Sequence, residues 1–270
     1  WRRKQGDALM STKVGRLLKL GERGPNTAPS QWFSVPNRDV VFDYTYDGVM
    51  RSFEVSLERI GVNRFDILFC HDIDLFTHKD RDVQAAKTRE FLDGGYRALS
   101  DLRDQGLVDA FGLGVNEWQV CQYVAERVDI DVCLLAGRYT LLEQEALDSF
   151  LPLCDERGLG IVIGGPFNSG ILATGARPGA FFNYQPAPED ILARVGRIEA
   201  VCGRYGVPLV AAALQFPLAH PSVVSVIPGA VSPAEVEAGR KAMESPIPPA
   251  LWEELKAEGL LRTDAPVPTV

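Results

Sequence analysis

The strongest constraint on this chain is a repeated change of hydrophobic period. Six short β-branched or apolar runs, at residues 8–14, 65–71, 108–115, 131–135, 160–163 and 223–227, alternate with longer stretches of helical spacing. The short runs show no polar alternation, which predicts strands buried on both faces, as in a parallel sheet. Between them, Val49, Phe53, Leu57 and Ile60 fall on one face of a helix expected over 48–60, with Asp47 as its N-cap. Phe91, Ala98, Leu99 and Leu102 do the same over 91–105, and Gly106 ends that helix. Further helices are expected over 118–128, 143–156, 189–205, 209–219, 233–243 and 249–258.

Strand followed by helix, repeated through the chain, implies an α/β fold in which helices cover a parallel sheet. No Pro, Gly or Ser linker interrupts the pattern, so residues 1–270 read as a single domain. A doubly wound nucleotide-binding fold carries G-x-G-x-x-G after an early strand. The nearest segments, Gly112-Leu113-Gly114 and Gly158-Leu159-Gly160, lack the third glycine. A (β/α)8 TIM barrel needs no such motif, but it needs eight strands, and six are legible.

Composition narrows the partners. Hydrophobic residues make up 46% and charged residues 24%, the proportions of a globular protein. A net charge of −8 argues against nucleic acid or an anionic membrane surface as a partner and leaves a small-molecule substrate. No run approaches the roughly 20 apolar residues that cross a bilayer. The opening Trp1-Arg2-Arg3-Lys4 has no apolar run behind it, unlike a signal peptide. The cysteines (Cys70, Cys121, Cys133, Cys154, Cys202) are scattered and never form C-x-x-C, which suits a reducing, cytoplasmic setting.

Two long segments, 19–46 and 72–89, read as irregular loops after strand C-termini, where the active-site loops of a barrel lie. The first carries Trp32 and Phe33, which are expected to contact substrate.

Two residues close strands at that same face. Lys13 sits near the end of the first run, where its charge depresses the pKa of a neighbouring acid. His71 ends the second and is suited to hydrogen-bond a substrate oxygen without formal charge. Neighbouring Cys70, Asp72 and Asp74 do not make a metal set, because successive strand side chains face opposite ways. The same divergence argues against a Cys70–His71 nucleophile pair. His78 and His220 read as surface or packing residues.

Ser11-Thr12-Lys13-Val14-Gly15, the strand ending His71-Asp72-Ile73-Asp74, Gly112-Leu113-Gly114-Val115-Asn116 and Val226-Ile227-Pro228-Gly229-Ala230 with Ser232-Pro233 together resemble the aldo/keto reductase superfamily. Ala136-Gly137-Arg138-Tyr139-Thr140-Leu141-Leu142, Gly164-Gly165-Pro166-Phe167-Asn168-Ser169-Gly170 and residues 212–220 resemble one branch of it. That branch holds the L-fucose and D-threo-aldose 1-dehydrogenases and the pyridoxal 4-dehydrogenases.

The resemblance implies a (β/α)8 barrel that binds a nicotinamide cofactor without a glycine fingerprint. Its catalytic set is Asp, Tyr, Lys and His, and Lys13 and His71 match the last two. Asn116 matches the asparagine that holds the nicotinamide carboxamide, although Val115 replaces the serine before it. Phe167 and Ser169 fall in the loop around the pyrophosphate, and Gly229 and Ser232 fall at the adenosine end. Gly164 stands where many members carry an aromatic that stacks on nicotinamide. The segment from Gly229 to Glu235 has no Lys or Arg to clamp a 2′-phosphate, and Glu235 would repel one. NAD is therefore expected over NADP.

The family's Asp and Tyr precede the lysine strand, so the resemblance places them, with two βα units, upstream of Trp1. Without them the sequence as it stands is expected to be inactive. Tyr44 and Tyr46 match no catalytic position. The expected activity is an NAD-dependent dehydrogenase that moves hydride between nicotinamide and a cyclic hemiacetal, an aldose or pyridoxal, to give a lactone. The alternative is a catalytically silent, cofactor-binding subunit of the same fold. An isomerase or aldolase barrel fits the matched segments less well. The sequence leaves the oligomeric state open.

Overall fold

Uninterrupted β-branched runs do become strands here, and each of the six expected ones is present in the computed structural model, which describes residues 8–21 and 38–269. Trp32 and Phe33 lie outside the described residues. The chain divides into two compact units. One holds the described residues up to Val115 together with Val124–Ile130; the other holds Asn116–Tyr123 and residues from Asp131 onward.

In the first unit, β1 (Ser11–Val14) leads through Gly15 into a hairpin of β2 (Arg16–Leu20) and β3 (Arg38–Phe42). Helix α1 (Tyr46–Ile60) follows, then β4 (Ile67–His71), α2 (Leu75–His78), α3 (Arg81–Glu90), α4 (Tyr96–Asp104) and β5 (Ala110–Val115). Strands β1, β4 and β5 pair in parallel, with Lys13 opposite Phe69 and His71 opposite Gly114. Val14, Leu68, Cys70, Leu113, Val49, Phe53, Leu99 and Leu102 are buried, so the helices seal the sheet as amphipathic faces should.

In the second unit, the elements after α5 (Trp118–Ala125) are β6 (Val132–Ala136), α6 (Phe150–Arg157), β7 (Gly160–Gly164), α7 (Ile171–Thr174) and the short hairpin of β8 (Phe181–Phe182) with β9 (Gln185–Pro186). There follow α8 (Glu189–Arg204), α9 (Leu209–Gln215), β10 (Val223–Ile227), α10 (Pro233–Glu244) and α11 (Pro249–Ala257). Strands β6, β7 and β10 pair in parallel, with a register shift between Val223 and Ser225. Leu135, Tyr139, Phe150, Ile161, Ile163, Ile198, Phe216 and Trp252 fill the core beneath them.

Several expectations change. Segment 72–89 is not an irregular loop but two helices, capped by Asp74, which accepts from Thr77 N–H, and by Asp80, which accepts from the N–H groups of Asp82 and Val83. Segment 19–46 contains β3, and its partner β2 begins ahead of it. The N-cap of α1 is Thr45, whose Oγ1 accepts from Gly48 N–H at 3.1 Å, while Asp47 lies in the first turn. The helix expected over 91–105 opens as a π-turn, Phe91–Gly95, before α4. A Cβ on Gly95 would lie 2.4 Å from the Tyr44 carbonyl oxygen, so only glycine admits that approach. The helix expected over 143–156 starts at Phe150, because Pro152 is tolerated only in a first turn. Pro217 likewise ends α9 early, leaving a 3₁₀ turn over Pro217–Ala219.

Candidate active site and cofactor cavity

Parallel pairing fixes which strand-end side chains meet. Lys13 is opposite Phe69, and His71 is two residues further along the same strand, so Lys13, Phe69 and His71 share one face of the sheet. The glycine opposite His71, Gly114, keeps that face low. A Cβ there would sit 3.1 Å from Phe69 Cβ and 3.7 Å from Lys13 Cε. Burial, then the charges of Lys13 and Arg16, push the His71 imidazole down to about 3, against a weaker opposing pull from Asp74. His71 is thus a neutral hydrogen-bonding ring at neutral pH, beside a cation.

The turn that presents His71 is held from outside. Asp72 adopts φ 59°, the left-handed region that a residue with a side chain enters at a cost. Arg16 Nη1 donates to Asp72 Oδ2 at 2.8 Å, and His71 Nε2 lies 3.4 Å from Asp72 Oδ1. The Tyr44 hydroxyl donates to the His71 carbonyl at 2.8 Å and lies 3.0 Å from the Asp72 carbonyl. His78 Nε2 is 3.4 Å from that hydroxyl, and its ring meets Phe42 edge-on at 4.9 Å. Tyr44 is fully buried, and its phenol is driven far above its ordinary value, first by desolvation. It is a structural clamp and not an acid or base. The Cys70 thiol is raised by burial as well, which leaves it without nucleophilic thiolate character. All five cysteines are free and buried.

The second unit contains a cavity of about 280 Å³, lined by the loops that follow β5, β6 and β7. Asn116, Phe167, Ser169 and Gly229 all line it, so four of the sequence-predicted cofactor residues come together. Among the described residues that line it, Arg138 is the one charged side chain and none carries a carboxylate. Arg138 Nε donates to the Asn116 carbonyl at 2.5 Å, and its Nη1 donates to Glu143 Oε1 at 2.6 Å and Asn183 Oδ1 at 2.9 Å. Glu143 Oε2 accepts from Asn168 Nδ2 at 2.5 Å, and that amide also donates to the Gly137 carbonyl. Both of these partners are acceptors, which settles the orientation of the amide and leaves Asn168 Oδ1 buried with no partner. Burial raises the Glu143 carboxyl, and Arg138 and Asn168 oppose that rise. Ser169 Oγ accepts from Tyr184 N–H at 2.9 Å, joining the loop after β7 to the β8–β9 turn.

This chemistry fits a nucleotide cofactor: amide and hydroxyl groups, one guanidinium, an unspent acceptor on Asn168, and no lining carboxylate to repel a pyrophosphate. Gly164 ends β7, where a Cβ would meet nothing nearer than 3.9 Å. Ser232 and Glu235 are not in the lining; they form a reciprocal cap on α10. Ser232 Oγ accepts from Glu235 N–H at 3.3 Å, and Glu235 Oε2 accepts from Val231 N–H at 2.9 Å. Among the described residues, no cluster of His, Cys, Asp or Glu could hold a metal ion, and no helix is long and apolar enough to cross a membrane.

Sequence reasoning missed Arg16, Asp72 and Tyr44 around His71, and Arg138, Glu143, Asn168 and Asn183 around the cavity. Arg138 and Asn168 lie inside segments 136–142 and 164–170, which carry the family resemblance, but nothing in their spacing shows what they hold.

The aldo/keto reductase family matches residues 1–258. The chain is 45% identical to pyridoxal 4-dehydrogenase of Microbacterium luteolum, over 96% of this chain and 78% of that protein. It is 37% identical to D-threo-aldose 1-dehydrogenase of a Pseudomonas species, over 94% of this chain and 76% of that one. The solved holo structure of an aldo-keto reductase from Bacillus halodurans superposes with a TM-score of 0.66 at 22% identity, covering 98% of this chain and 76% of its own. That likeness carries the fold, and the sequence matches carry the oxidoreductase family and its use of a nicotinamide cofactor: the chain belongs to the aldo/keto reductase family.

Proposed function

We propose that the protein is an NAD-dependent dehydrogenase that oxidises a cyclic hemiacetal, an aldopyranose or pyridoxal, to a lactone. The observation that carries this reading is the neutral His71 beside Lys13 on one face of adjacent strands. Such a pair suits an alcohol whose proton must leave as hydride departs. The ring of His71 hydrogen-bonds and orients the substrate oxygen. The Lys13 ammonium favours the ionised form of the proton-accepting phenol, a role that the family gives to a tyrosine. A bound nicotinamide supplies the hydride acceptor. Asn116 would hold its carboxamide end, Phe167 and Ser169 the pyrophosphate, and Gly229 and Ser232 the adenosine end. Trp32 and Phe33 remain the proposed substrate contacts. The names of the similar dehydrogenases support the substrate class.

The choice of NAD rests on charge. No cation lies between Gly229 and Glu235. The first one in α10, Arg240, is already engaged by Glu237 at 2.9 Å and by Glu244. A 2′-phosphate would find no free guanidinium there and would meet the Glu235 carboxylate.

The test is a panel of aldoses and pyridoxal with NAD or NADP, run on a full-length form that includes the family's Asp and Tyr and followed by the absorbance of the reduced cofactor. Turnover of at least one hemiacetal with NAD preferred is the expected result. Equal efficiency with both cofactors would remove the NAD assignment, and inactivity across the panel would remove the substrate class.

A further inference from the structure

We propose that the Arg138–Glu143 ion pair is a positioning device that sets Asn116 for its grip on the nicotinamide carboxamide. The inference rests on the cofactor reading above and adds to it two residues that act through Asn116.

The geometry singles out Arg138. Its Nε is spent on a backbone carbonyl, that of Asn116, at 2.5 Å. Its Nη1 is shared between Glu143 and Asn183. One planar guanidinium thereby joins the residue that follows β5, the loop after β6 and the turn between β8 and β9. Glu143 extends the tie through its other oxygen to Asn168, which holds the Gly137 carbonyl. A carbonyl hydrogen-bonded along a defined direction fixes the peptide plane of its residue, and with it the starting direction of the Asn116 side chain.

The energetics agree with a positioning role. The two side chains are 15% and 16% exposed, so both charges are largely withdrawn from water. A pair so placed recovers little more than its own desolvation cost, and well-packed apolar residues would stabilise the fold as well. What an apolar pair would not supply is a fork of donors with fixed angles. Lysine would not supply it either, because its ammonium is a point charge on a flexible stem.

The experiment compares two ligands on the intact protein by isothermal titration calorimetry: NADH, and ADP-ribose, which lacks the nicotinamide. In Arg138→Lys, NADH affinity is expected to fall about tenfold, the loss of one well-aligned hydrogen bond, with ADP-ribose affinity little changed. Asn183→Ala keeps the Arg138–Asn116 contact and should leave the ratio of the two affinities as it is. Glu143→Gln preserves size and removes the charge partner, so it should move the ratio in the same direction as Arg138→Lys. It also decides the matter if the lysine variant does not fold. An unchanged ratio in folded Arg138→Lys or Glu143→Gln overturns the positioning role, and so does an equal loss of both ligands in either. Failure of the unsubstituted protein to bind NADH overturns the cofactor reading itself, which is a separate outcome.

Discussion

The phenol of Tyr44 donates to the backbone carbonyl of His71 at 2.8 Å, across 27 residues of chain, and thereby pins the turn that presents the imidazole. Gly15, at φ 87°, makes room for it: a Cβ there would lie 2.4 Å from the Tyr44 ring. Tyr44→Phe leaves the carbonyls of His71 and Asp72 short of a donor in a buried place, so stability should drop by about 1–3 kcal/mol. Urea denaturation would read this, and turnover should fall more than KM rises, because the displaced group orients the substrate rather than binding it alone. Unchanged stability together with unchanged turnover would show that the clamp does nothing.

The pH behaviour of His71 follows from its surroundings. Its folded value, about 3, lies below the ordinary value of 6.5, so between these limits the unfolded chain binds the extra proton. Its contribution to stability is complete above about 6.5 and is lost as the pH falls toward about 3. Burial lowers His78 and His220 too, which act with the same sign. His71→Gln should flatten part of the acid limb of a plot of urea midpoint against pH. An NMR titration should show the His71 ring unprotonated from pH 5 upward. A ring that titrates near 6.5 would contradict this.

What the sequence made legible, and what it hid, divides along physical lines. Strands such as β4 and β5, buried on both faces, announce themselves as apolar runs, and His71 was readable because it closes one. Strand β1 is buried only at Val14, against expectation, and Lys13 was readable from its place near the end of the run. The β2–β3 hairpin was not, because Leu18, Leu20 and Val40 are exposed and give no inward pattern. Helices α2 and α3 were hidden because, of their side chains, only Thr88 is buried, so they carry no apolar face. Tyr44 read as a loop aromatic, since only tertiary packing brings it beneath His71. The Arg138 network draws on segments around 116, 138, 168 and 183, and no local spacing reveals such a convergence.

Lys13 should matter through charge alone. Replacement by methionine keeps most of the stem, and among the described residues no hydrogen bond or ion pair depends on its ammonium, so the fold should survive. Turnover should fall at least about a hundredfold, the range expected when an acid–base group loses its electrostatic support, while NADH binding stays largely intact. Because Lys13 stands second only to burial in depressing His71, the same variant should raise the midpoint of the His71 ring. Steady-state kinetics and the NMR titration check the two halves separately. Retained turnover would refute the catalytic role, and an unmoved midpoint would refute the proximity.

Glu235 offers a direct test of cofactor choice. Its carboxylate accepts from Val231 N–H and lies in the first turn of α10, where the helix dipole favours an acid. Glu235→Arg removes that cap and should cost about 0.5–1 kcal/mol, read as a lowered melting temperature. It also replaces a repelling charge with a fork that matches a 2′-phosphate. Relative to NAD, the efficiency with NADP should therefore rise about tenfold or more, as one charge-assisted contact implies. The gain should shrink as salt is added, because the side chain is exposed and its field is screened within about 10 Å at moderate ionic strength. A variant that loses stability without any change in the NAD to NADP ratio would leave Glu235 as a helix cap only, and the origin of the preference would have to lie elsewhere in the chain.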